Sequence, residues 1–417
     1  MKVYKFGGAS VKDAAGVRNL LDIVNGEEEL FIIVSAMGKT TNALEGVFQA
    51  MQQGDTALAL ERIDASYSYH RTIIDELMGA DITIEQMNTL FEQLRNTVRN
   101  TIYRTSDAEL WYDTIVAFGE LISTTIISNF LNGHGVKNRW VDMRRVVLTE
   151  QRHKDANVNL EATTLRLRRE IEDGVERVFV GQGFIGGAPD GTTTTLGREG
   201  SDYSAAIVAN ALDAESMSVW KDVDGILNAD PKKFPDARKI ERLNYMDTIE
   251  MAYSGAQIIH PKTIKPLQQK NIPLYVRPFG NKQAAGSVIT GDVERAYEPI
   301  MIQKENQVLL DLHSRDLSFV LEEKFATVFA VLERHRIKTN LIHNSAVNLY
   351  MSVDESWHID DAIAELTAEG FDIEKTEDVA LITIRYYNDE LYDKYASDKR
   401  ILIRQTTPHS LRFVRTK

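Results

Sequence analysis

Three short apolar runs in this chain each lead into glycines or other small residues and, further on, into a helical pattern. They are VYKFGGASV at 3–11, ELFIIVSAMG at 29–38 and VERVFVGQGFIGG at 175–187. This repeated order of strand, turn and helix restricts the fold more than any other feature, because it is typical of a mostly parallel sheet covered by helices on both faces. Ligands of such sheets bind beyond the carboxyl ends of the strands, where these turns gather.

A lysine stands inside the first of these strands. Because a strand alternates its faces, Val3, Lys5 and Gly7 point to one side, which places a cation beside the glycine turn. Two interpretations are open at this point. Lys5 is a solvated residue of an edge strand, or it belongs to a phosphate site in which backbone N–H groups of the turn and the following helix meet an anion.

Length, charge and cysteine usage narrow the classes of protein. A chain of 417 residues predicts two or more domains, and its formal net charge of −13 argues against nucleic acid or an acidic membrane as the main partner. The chain has no cysteine, which excludes disulfide scaffolds and thiolate chemistry. No apolar stretch approaches the roughly 20 residues of a membrane span, and the start reads as a strand rather than a signal peptide. We therefore expect a soluble, cytoplasmic protein.

The sequence changes character near residues 292–299. Beyond them, apolar patterns follow in the order strand, helix, strand, strand, helix, strand, which is typical of a ferredoxin-like unit. The segments KRILIRQTT and SLRFVRT add two strands, preceded by only a short helical stretch at 388–397. They resemble a second copy of the same unit with its helices cut away. A sheet face left bare by that loss is expected to need a covering partner.

Six motifs stand in order along the chain: KFGGASV (5–11), VSAMGKTTN (34–42), FGELIST (118–124), TTTTLGREGSDYSA (192–205), WKDVDGILNADP (220–231) and GAQIIHPKT (255–263). In this order they resemble the aspartate kinase branch of the amino-acid kinase family, and the C-terminal unit resembles the ACT regulatory domain of that family. The resemblance covers essentially the whole chain. It implies an α/β amino-acid kinase fold, a mostly parallel sheet sandwiched by helices, as a catalytic domain at 1–293. An α+β ferredoxin-like ACT region follows at 299–417, with one full unit and a truncated second unit.

The resemblance implies transfer of the ATP γ-phosphoryl group to the β-carboxylate of L-aspartate, with Mg²⁺ as the ion, in the biosynthesis of lysine, threonine and methionine. The attacking carboxylate has an ordinary pKa of about 3.9, so it is ionised at pH 7 and needs no general base. Repulsion is the difficulty, because two unit charges at ~4 Å repel by about 4 kcal/mol at an effective dielectric constant of ~20. The site needs cations and oriented donors more than a proton acceptor.

The family assigns catalytic roles to two charged positions in this chain. Lys5 is expected to bridge the entering carboxylate and the phosphoryl group, while Gly7 and Gly8 let the backbone approach the phosphates. Asp202 is expected to hold the lysine in place. As an acid in the first turn of a helix, it also suits the helix dipole, and both roles can hold at once.

Substrate recognition needs opposite charges for the α-carboxylate and α-ammonium of aspartate. The resemblance assigns the carboxylate to Arg198 and the ammonium to Glu120. Glu120 lies in the apolar helix WYDTIVAFGELIST, where an unpaired acid is expensive to bury, so an internal salt bridge is the alternative role. Ser35 and Thr41 match hydroxyls that contact substrate in the family, and otherwise suit helix caps.

The nucleotide contacts of the family match KDVDGILNADPK and the position of Gln257. Lys221 and Asp222 are expected near adenine and ribose, and Lys232 near the phosphates. This chain departs from many relatives here. Relatives often have Ser or Thr at position 221, Tyr at 227, Arg at 232 and Lys at 257, where this chain has Lys221, Leu227, Lys232 and Gln257.

Two further segments have simpler expectations. The threonines at 192–195 are expected to form a partial lid over the site. His260, in front of a proline, suits a turn rather than catalysis, because the reaction needs no base. No cluster of His, Asp and Glu has metal-site spacing, so Mg²⁺ is expected to arrive with ATP, held by phosphates and water.

The ACT resemblance also concerns assembly and regulation. ACT domains typically pair across subunits and bind an amino acid at the interface, which implies a homodimer or higher homo-oligomer. In lysine-inhibited relatives the region matching TNLIHNSAVN carries acidic residues that neutralise the ammonium groups of the effector. This chain has Asn340 and Ala346 there, so we expect weak or absent inhibition by lysine.

Two other functions stay open. One is an amino-acid kinase for glutamate or N-acetylglutamate, although an N-acylated substrate has no charged nitrogen for Glu120 to bind. The other is a non-catalytic ACT-type amino-acid sensor. A sensor predicts decay of the phosphoryl site, whereas Lys5 and Asp202 are both present.

Overall fold

The structure is a computed structural model, and it describes residues 1–101, 103–256, 258–293, 298–315, 322–396, 398 and 400–416. The chain divides into two units. The first comprises Met1–Ile226, Lys239–Ile249 and Ile259–Val293, and the second comprises Leu227–Arg238, Glu250–Ile258 and Glu294–Lys417. Two short segments that precede residue 293 therefore group with the C-terminal region. The domain limits 1–293 and 299–417 stay a prediction.

The described strands and helices up to residue 293 alternate in part: consecutive helices separate β2 from β3, and short strands follow one another after β4 and after β7. The strands are β1 Lys2–Phe6, β2 Leu30–Val34, β3 Arg139–Val141, β4 Val178–Gln182, β5 Ile185–Gly187, β6 Thr193–Thr195, β7 Ser216–Lys221, β8 Ile226–Leu227, β9 Lys239–Ile240, β10 Arg242–Asn244, β11 Leu274–Pro278 and β12 Ser287–Thr290. The helices are α1 Ala14–Val24, α2 Thr40–Gln52, α3 Thr56–Met78, α4 Glu85–Asn100, α5 Ala108–Val116, α6 Phe118–Gly133, α7 Met143–Val146, α8 Leu160–Glu172, α9 Gly200–Ala211, α10 Tyr245–Tyr253 and α11 Pro261–Gln269.

Eight of these strands form one sheet in the order β10-β12-β11-β7-β1-β2-β4-β3. All neighbours are parallel except β11 and β12, which confirms the predicted α/β class. The run LFIIV of β2 is buried at every position, as expected for a parallel strand covered on both faces. β1 lies between β2 and β7, so the carboxyl ends of these three strands meet at one edge.

The helical run Thr105–Gly133 corrects one expectation about membrane spans. By length and composition this run could cross a membrane, but 89% of its apolar window is buried inside the protein. It consists of a 3-10 turn at Thr105–Asp107 followed by α5 and α6. A helix that is apolar on all sides is typical of a protein core. The run is a core element of the first unit.

The second unit contains the ferredoxin-like order predicted from the sequence. Its elements are β13 Ile300–Ser314, α12 Glu322–Arg334, β14 Thr339–Asn344, β15 Asn348–Asp354, α13 Ile359–Ala368, β16 Phe371–Arg385, α14 Asp389–Ala396, β17 Ile401–Thr407 and β18 Ser410–Thr416. They form a six-stranded sheet in the order β14-β15-β13-β16-β18-β17. The truncated second copy thus continues the sheet of the first with two strands and the short helix α14.

Both faces of this sheet are filled by the chain itself, contrary to the expectation of a bare face. One face carries two apolar clusters, of which the second packs against Leu391 and Tyr395 of α14. The opposite face holds a third cluster that joins residues of β14 and β17, the two outer strands. Arg412 donates to the carbonyl of Asn340 at 2.6 Å, and Gln405 donates to the carbonyl of Ile342. The sheet is therefore curved enough to bring its last strands against β14, which blunts an exposed edge.

Candidate active site

A cavity of about 700 Å³ opens at the carboxyl ends of β1, β2 and β7. Its walls include six of the residues predicted from the sequence to bind substrate or transfer the phosphoryl group: Lys5, Ser35, Thr41, Glu120, Arg198 and Asp202. Lys221 and the N-terminus of α9 also line this cavity. The residues come from segments that are far apart in sequence, because parallel topology collects the turns after the strands at one edge.

The Asp202 carboxylate is shared by two ammonium groups. Lys5 Nζ lies 2.6 Å from Oδ1, and Lys221 Nζ lies 3.2 Å from Oδ2. Burial opposes the ionisation of Asp202, but the two ammonium groups outweigh it and hold the pKa of this carboxyl below its usual range. Lys5 is only 8% exposed and lies on an interior strand, so its interpretation as a solvated edge residue is wrong.

The two glycines after β1 have different surroundings. A Cβ on Gly8 would lie 2.5 Å from the carbonyl oxygen of Ala36, so a side chain there would push the two turns apart. A Cβ on Gly7 would meet only Lys5 Nζ, at 3.7 Å. Gly8 thus allows the turns after β1 and β2 to pack closely, while Gly7 keeps space open beside the ammonium group.

Glu120 is a buried acid with one oxygen left unpartnered. Its side chain is 3% exposed, and Oε1 accepts a hydrogen bond of 3.1 Å from the backbone N–H of Ala36. Among the residues that the structure describes, Oε2 has no hydrogen-bond partner and Glu120 makes no salt bridge. Burial raises the pKa of Glu120 to about 8, although Ala36 and the more distant Lys5 act in the opposite direction. The internal salt bridge considered for Glu120 is therefore not formed, and the acid is left to pair with something in the cavity.

Arg198 is the cation of this cavity that has no partner within the described part of the chain. It is exposed and directly precedes Glu199, whose left-handed backbone (φ 53°) starts α9. Ser35 and Thr41 also line the cavity, and the cap of α2 is Lys39, without a side-chain hydrogen bond. Neither hydroxyl is used as the helix cap that the sequence also allowed.

Three non-glycine residues of the cavity wall have a positive φ: Lys154 at 67°, Phe184 at 69° and Glu199 at 53°. Each such residue stores on the order of 1 kcal/mol of strain, which persists only where surrounding contacts fix the backbone. Glu199 Oε2 accepts a 2.9 Å hydrogen bond from the backbone N–H of His260. The wall of the cavity is thus held in place by contacts from other segments.

Asp113, which no motif in the sequence singled out, supplies one of these restraints. Its side chain is fully buried and accepts hydrogen bonds from Thr195 Oγ1 (2.6 Å), from the Thr195 N–H (3.0 Å) and from the Lys154 N–H (3.0 Å). His153 Nδ1 lies 3.1 Å away. Burial raises the pKa of Asp113 despite these contacts. The sequence does contain a signal for a buried acid here, because Asp113 lies two helical turns before Glu120 in the same apolar stretch.

The prediction that residues 192–195 form a partial lid is wrong. Thr193–Thr195 form strand β6, which pairs with β5 in an antiparallel hairpin. Thr194 and Thr195 are fully buried, and Thr194 Oγ1 lies 2.8 Å from Thr149 Oγ1. A segment with this many buried contacts is a fixed wall rather than a lid, because opening it would leave Asp113 and both hydroxyls unpaired.

The other positions predicted to contact the nucleotide, apart from Lys221, do not line this cavity or lie outside the described residues. Asp222 is exposed directly after β7, while Leu227 and Lys232 belong to the second unit. Gln257 lies outside the described residues. His260 caps α11, since its ring accepts from the Lys262 N–H at 3.2 Å, in line with the turn role expected for it. No group of three or more His, Asp or Glu side chains in the described ranges could hold a metal ion.

Comparisons with known proteins agree with this geometry. A model described as the amino acid kinase family matches residues 1–278. Lysine-sensitive aspartokinase 3 of Escherichia coli is 32% identical over 360 residues, which is 84% of this chain and 78% of the relative. Aspartokinase 1, chloroplastic, of Arabidopsis thaliana is 31% identical over 403 residues, covering 92% of this chain and 68% of the relative. The crystal structure of E. coli aspartokinase III in complex with aspartate and ADP matches at a TM-score of 0.82 and 28% identity, covering 100% of this chain and 96% of that one.

The role of Asp113 in fixing the wall is testable by Asp113→Asn. Oδ2 accepts from the backbone N–H groups of Lys154 and Thr195, and Oδ1 accepts from the Thr195 hydroxyl. The neutral amide weakens the first two hydrogen bonds and replaces the acceptor of the third by a donor, so we expect a loss of about 1–3 kcal/mol in the free energy of unfolding. Amide hydrogen exchange at Lys154 and Thr195 should accelerate. Asp190→Asn is the matched control, because Asp190 is exposed in the same hairpin, and it should cost less than about 1 kcal/mol. Equal exchange rates in the two variants would contradict the role of Asp113.

Proposed function

The chain belongs to the amino acid kinase family, and within it to the aspartokinases, and from this we propose how its residues perform the reaction. The protein is an ATP-dependent aspartate kinase, a phosphotransferase that makes 4-phospho-L-aspartate. One observation carries the assignment of the cavity: two lysines share a buried carboxylate, and the same cavity is lined by a buried acid with one unpartnered oxygen and by an arginine without a partner among the described residues. This charge pattern suits an anionic phosphate chain next to an amino acid.

We propose that aspartate binds through its two α-substituents. Arg198 is free to take the α-carboxylate with two parallel hydrogen bonds. Glu120 Oε2, which lacks a partner, suits the α-ammonium group. The hydroxyls of Ser35 and Thr41 lie on the same wall and are available to the substrate. Held at one end, the substrate directs its β-carboxylate toward Lys5.

In the reaction, an oxygen of the ionised β-carboxylate attacks the γ-phosphorus and the bond from γ-phosphorus to the bridging oxygen breaks. The electron pair stays on the β-phosphate of ADP, and no proton needs to move because the nucleophile is already ionised. The Lys5 ammonium reduces the repulsion between the two anions, and Asp202 fixes its position before the ligands arrive. Gly7 leaves space for a phosphate beside this ammonium group.

Mg²⁺ fits this site as part of the nucleotide rather than as a resident ion. The described residues offer no group of three or more acidic or histidine side chains to hold it, and the buried carboxylate of Asp202 is occupied by two lysines. When bound, the ion supplies charge neutralisation on the phosphates, where it keeps most of its water. We also propose that the protein is cytoplasmic. The homodimer or higher homo-oligomer that we propose rests separately on the resemblance of the C-terminal unit to ACT domains.

We propose that lysine is at most a weak effector of this protein. The E. coli relative is named lysine-sensitive. Here Asn340 is committed within its own unit: Oδ1 accepts from Lys304 Nζ at 2.8 Å, and Nδ2 donates to Gln307 and to Asp354. Lys304 Nζ also pairs with Asp354 at 2.6 Å. An internal ammonium group thus occupies the polar atoms around Asn340.

The substrate assignment is tested by measuring ADP release with aspartate, glutamate and N-acetylglutamate in parallel.

The role of Lys5 is tested by the variant Lys5→Met. We expect this variant to keep its fold while kcat falls by ~10³ or more, which corresponds to a loss of at least ~4 kcal/mol of transition-state stabilisation. Lys12→Met, at an exposed position outside the cavity, is the control and should retain activity. A loss of less than tenfold in Lys5→Met would refute a catalytic role for Lys5.

The raised pKa of Glu120 predicts a pH dependence. In the empty enzyme this acid is protonated below about pH 8, yet it must be ionised to pair with the α-ammonium group. Binding aspartate therefore releases a proton, and kcat/KM for aspartate should rise about tenfold per pH unit below pH 8 and then level off. Glu120→Gln should be weaker and lack this rise. A wild-type profile that is flat from pH 6.5 to 8 would exclude the proposed pairing.

The effector proposal predicts the outcome of a lysine titration. Loss of two carboxylates forfeits charge-assisted hydrogen bonds of ~1.5–3 kcal/mol each, so millimolar lysine should leave most of the activity. Threonine and methionine are added in parallel to detect another effector. Half-inhibition by micromolar lysine would show that an ammonium site exists despite Asn340 and Ala346.

A further inference from the structure

Lys221, which the resemblance places near adenine and ribose, lies at the end of β7. Phe6 of β1 pairs with Trp220 of β7, so the next residues along these strands are Gly7 and Lys221. Lys221 therefore lies beside the glycine turn. Because Lys5 pairs with Val219, two residues before Lys221, both lysine side chains leave the same face of the sheet.

The contact with Asp202 fixes the direction of this side chain. Lys221 Nζ lies 3.2 Å from Oδ2 of a carboxylate that is 3% exposed and holds Lys5 on its other oxygen. The Lys221 side chain is 29% exposed and lines the cavity, so its ammonium group can meet a ligand while it keeps Asp202.

The two lysines lie at different positions along their strands. Lys5 lies opposite Val219, so Lys221 lies two residues nearer the carboxyl edge of the sheet, level with Gly7. Lys5 is the cation assigned above to the meeting of the β-carboxylate and the γ-phosphoryl group, which leaves Lys221 for the phosphates beyond it.

We propose that Lys221 is a catalytic residue that contacts the β-phosphate of the nucleotide, with Asp202 positioning both lysines. The inference rests on the proposed kinase function and deepens it. As the bond from γ-phosphorus to the bridging oxygen breaks, the electron pair stays on the β-phosphate and negative charge increases there. An ammonium group held at this point stabilises the leaving group as well as the bound nucleotide.

The test compares ADP with AMP, because only ADP has the β-phosphate. In Lys221→Met, which keeps the side-chain length and removes the charge, we expect the Kd of ADP to rise at least tenfold and that of AMP less than twofold. Both are measured by direct calorimetric titration without aspartate. Lys221→Arg keeps the positive charge, so the rise in log Kd for ADP should be at most half of the rise seen in Lys221→Met. Lys137→Met, exposed before the amino end of β3 at the opposite edge of the sheet, is the matched control.

Activity gives the second readout. In Lys221→Met we expect kcat at saturating ATP and aspartate to fall at least tenfold, since the leaving group loses its cation. Equal weakening of ADP and AMP would assign Lys221 to the nucleoside instead, and unchanged ADP binding would remove it from the nucleotide site; either result overturns the inference. Failure of the wild type to turn over aspartate would count against the proposed function alone, because the binding comparison does not require turnover.

Discussion

The buried carboxylate of Asp202 between two ammonium groups is the interaction on which the site depends. An isolated charge is very costly to bury, and a buried pair tolerates its desolvation only with close, well-oriented partners. Lys5 and Lys221 meet this demand at 2.6 and 3.2 Å from the two oxygens. Their strands are neighbours in a parallel sheet and end together, opposite the first turn of α9. The topology of the sheet therefore determines the electrostatics of the cavity.

Much of this arrangement could be predicted from the sequence, because the signals are local. Glycine turns after apolar strands predicted the sheet edge, and Glu120 in an apolar helix predicted a buried acid in need of a partner. The buried strand at 193–195 was not predicted, since its threonines are polar in sequence and find their partners, Thr149 and Asp113, in distant segments. The pairing of Lys221 with Asp202 depends on strand register, which no local pattern specifies. Local sequence patterns do not predict which residues from distant segments will contact each other.

The second unit shows a similar limit. The shortened final strands predicted a bare sheet face, because two strands with one short helix cannot cover a sheet in the usual way. The structure fills that face by curvature: a cluster including Leu341 and Ile403 joins the outer strands, and Arg412 reaches the carbonyl of Asn340. Curvature is a collective property of six strands and their packing, so it cannot be inferred from the composition of the last two.

Charge in the empty cavity is distributed unevenly, and this bears on how the enzyme meets two anions in turn. At the phosphate end, Asp202 holds both lysine side chains in place before any ligand binds, so little reorganisation is needed when the nucleotide arrives. At the amino-acid end, Glu120 is neutral in the empty site near neutral pH, because burial raises its pKa to about 8. A protonated Glu120 adds no negative charge next to the phosphates. It acquires that charge only with the substrate ammonium group that neutralises it, so the cavity stays attractive to ATP without losing its capacity to recognise an amino acid.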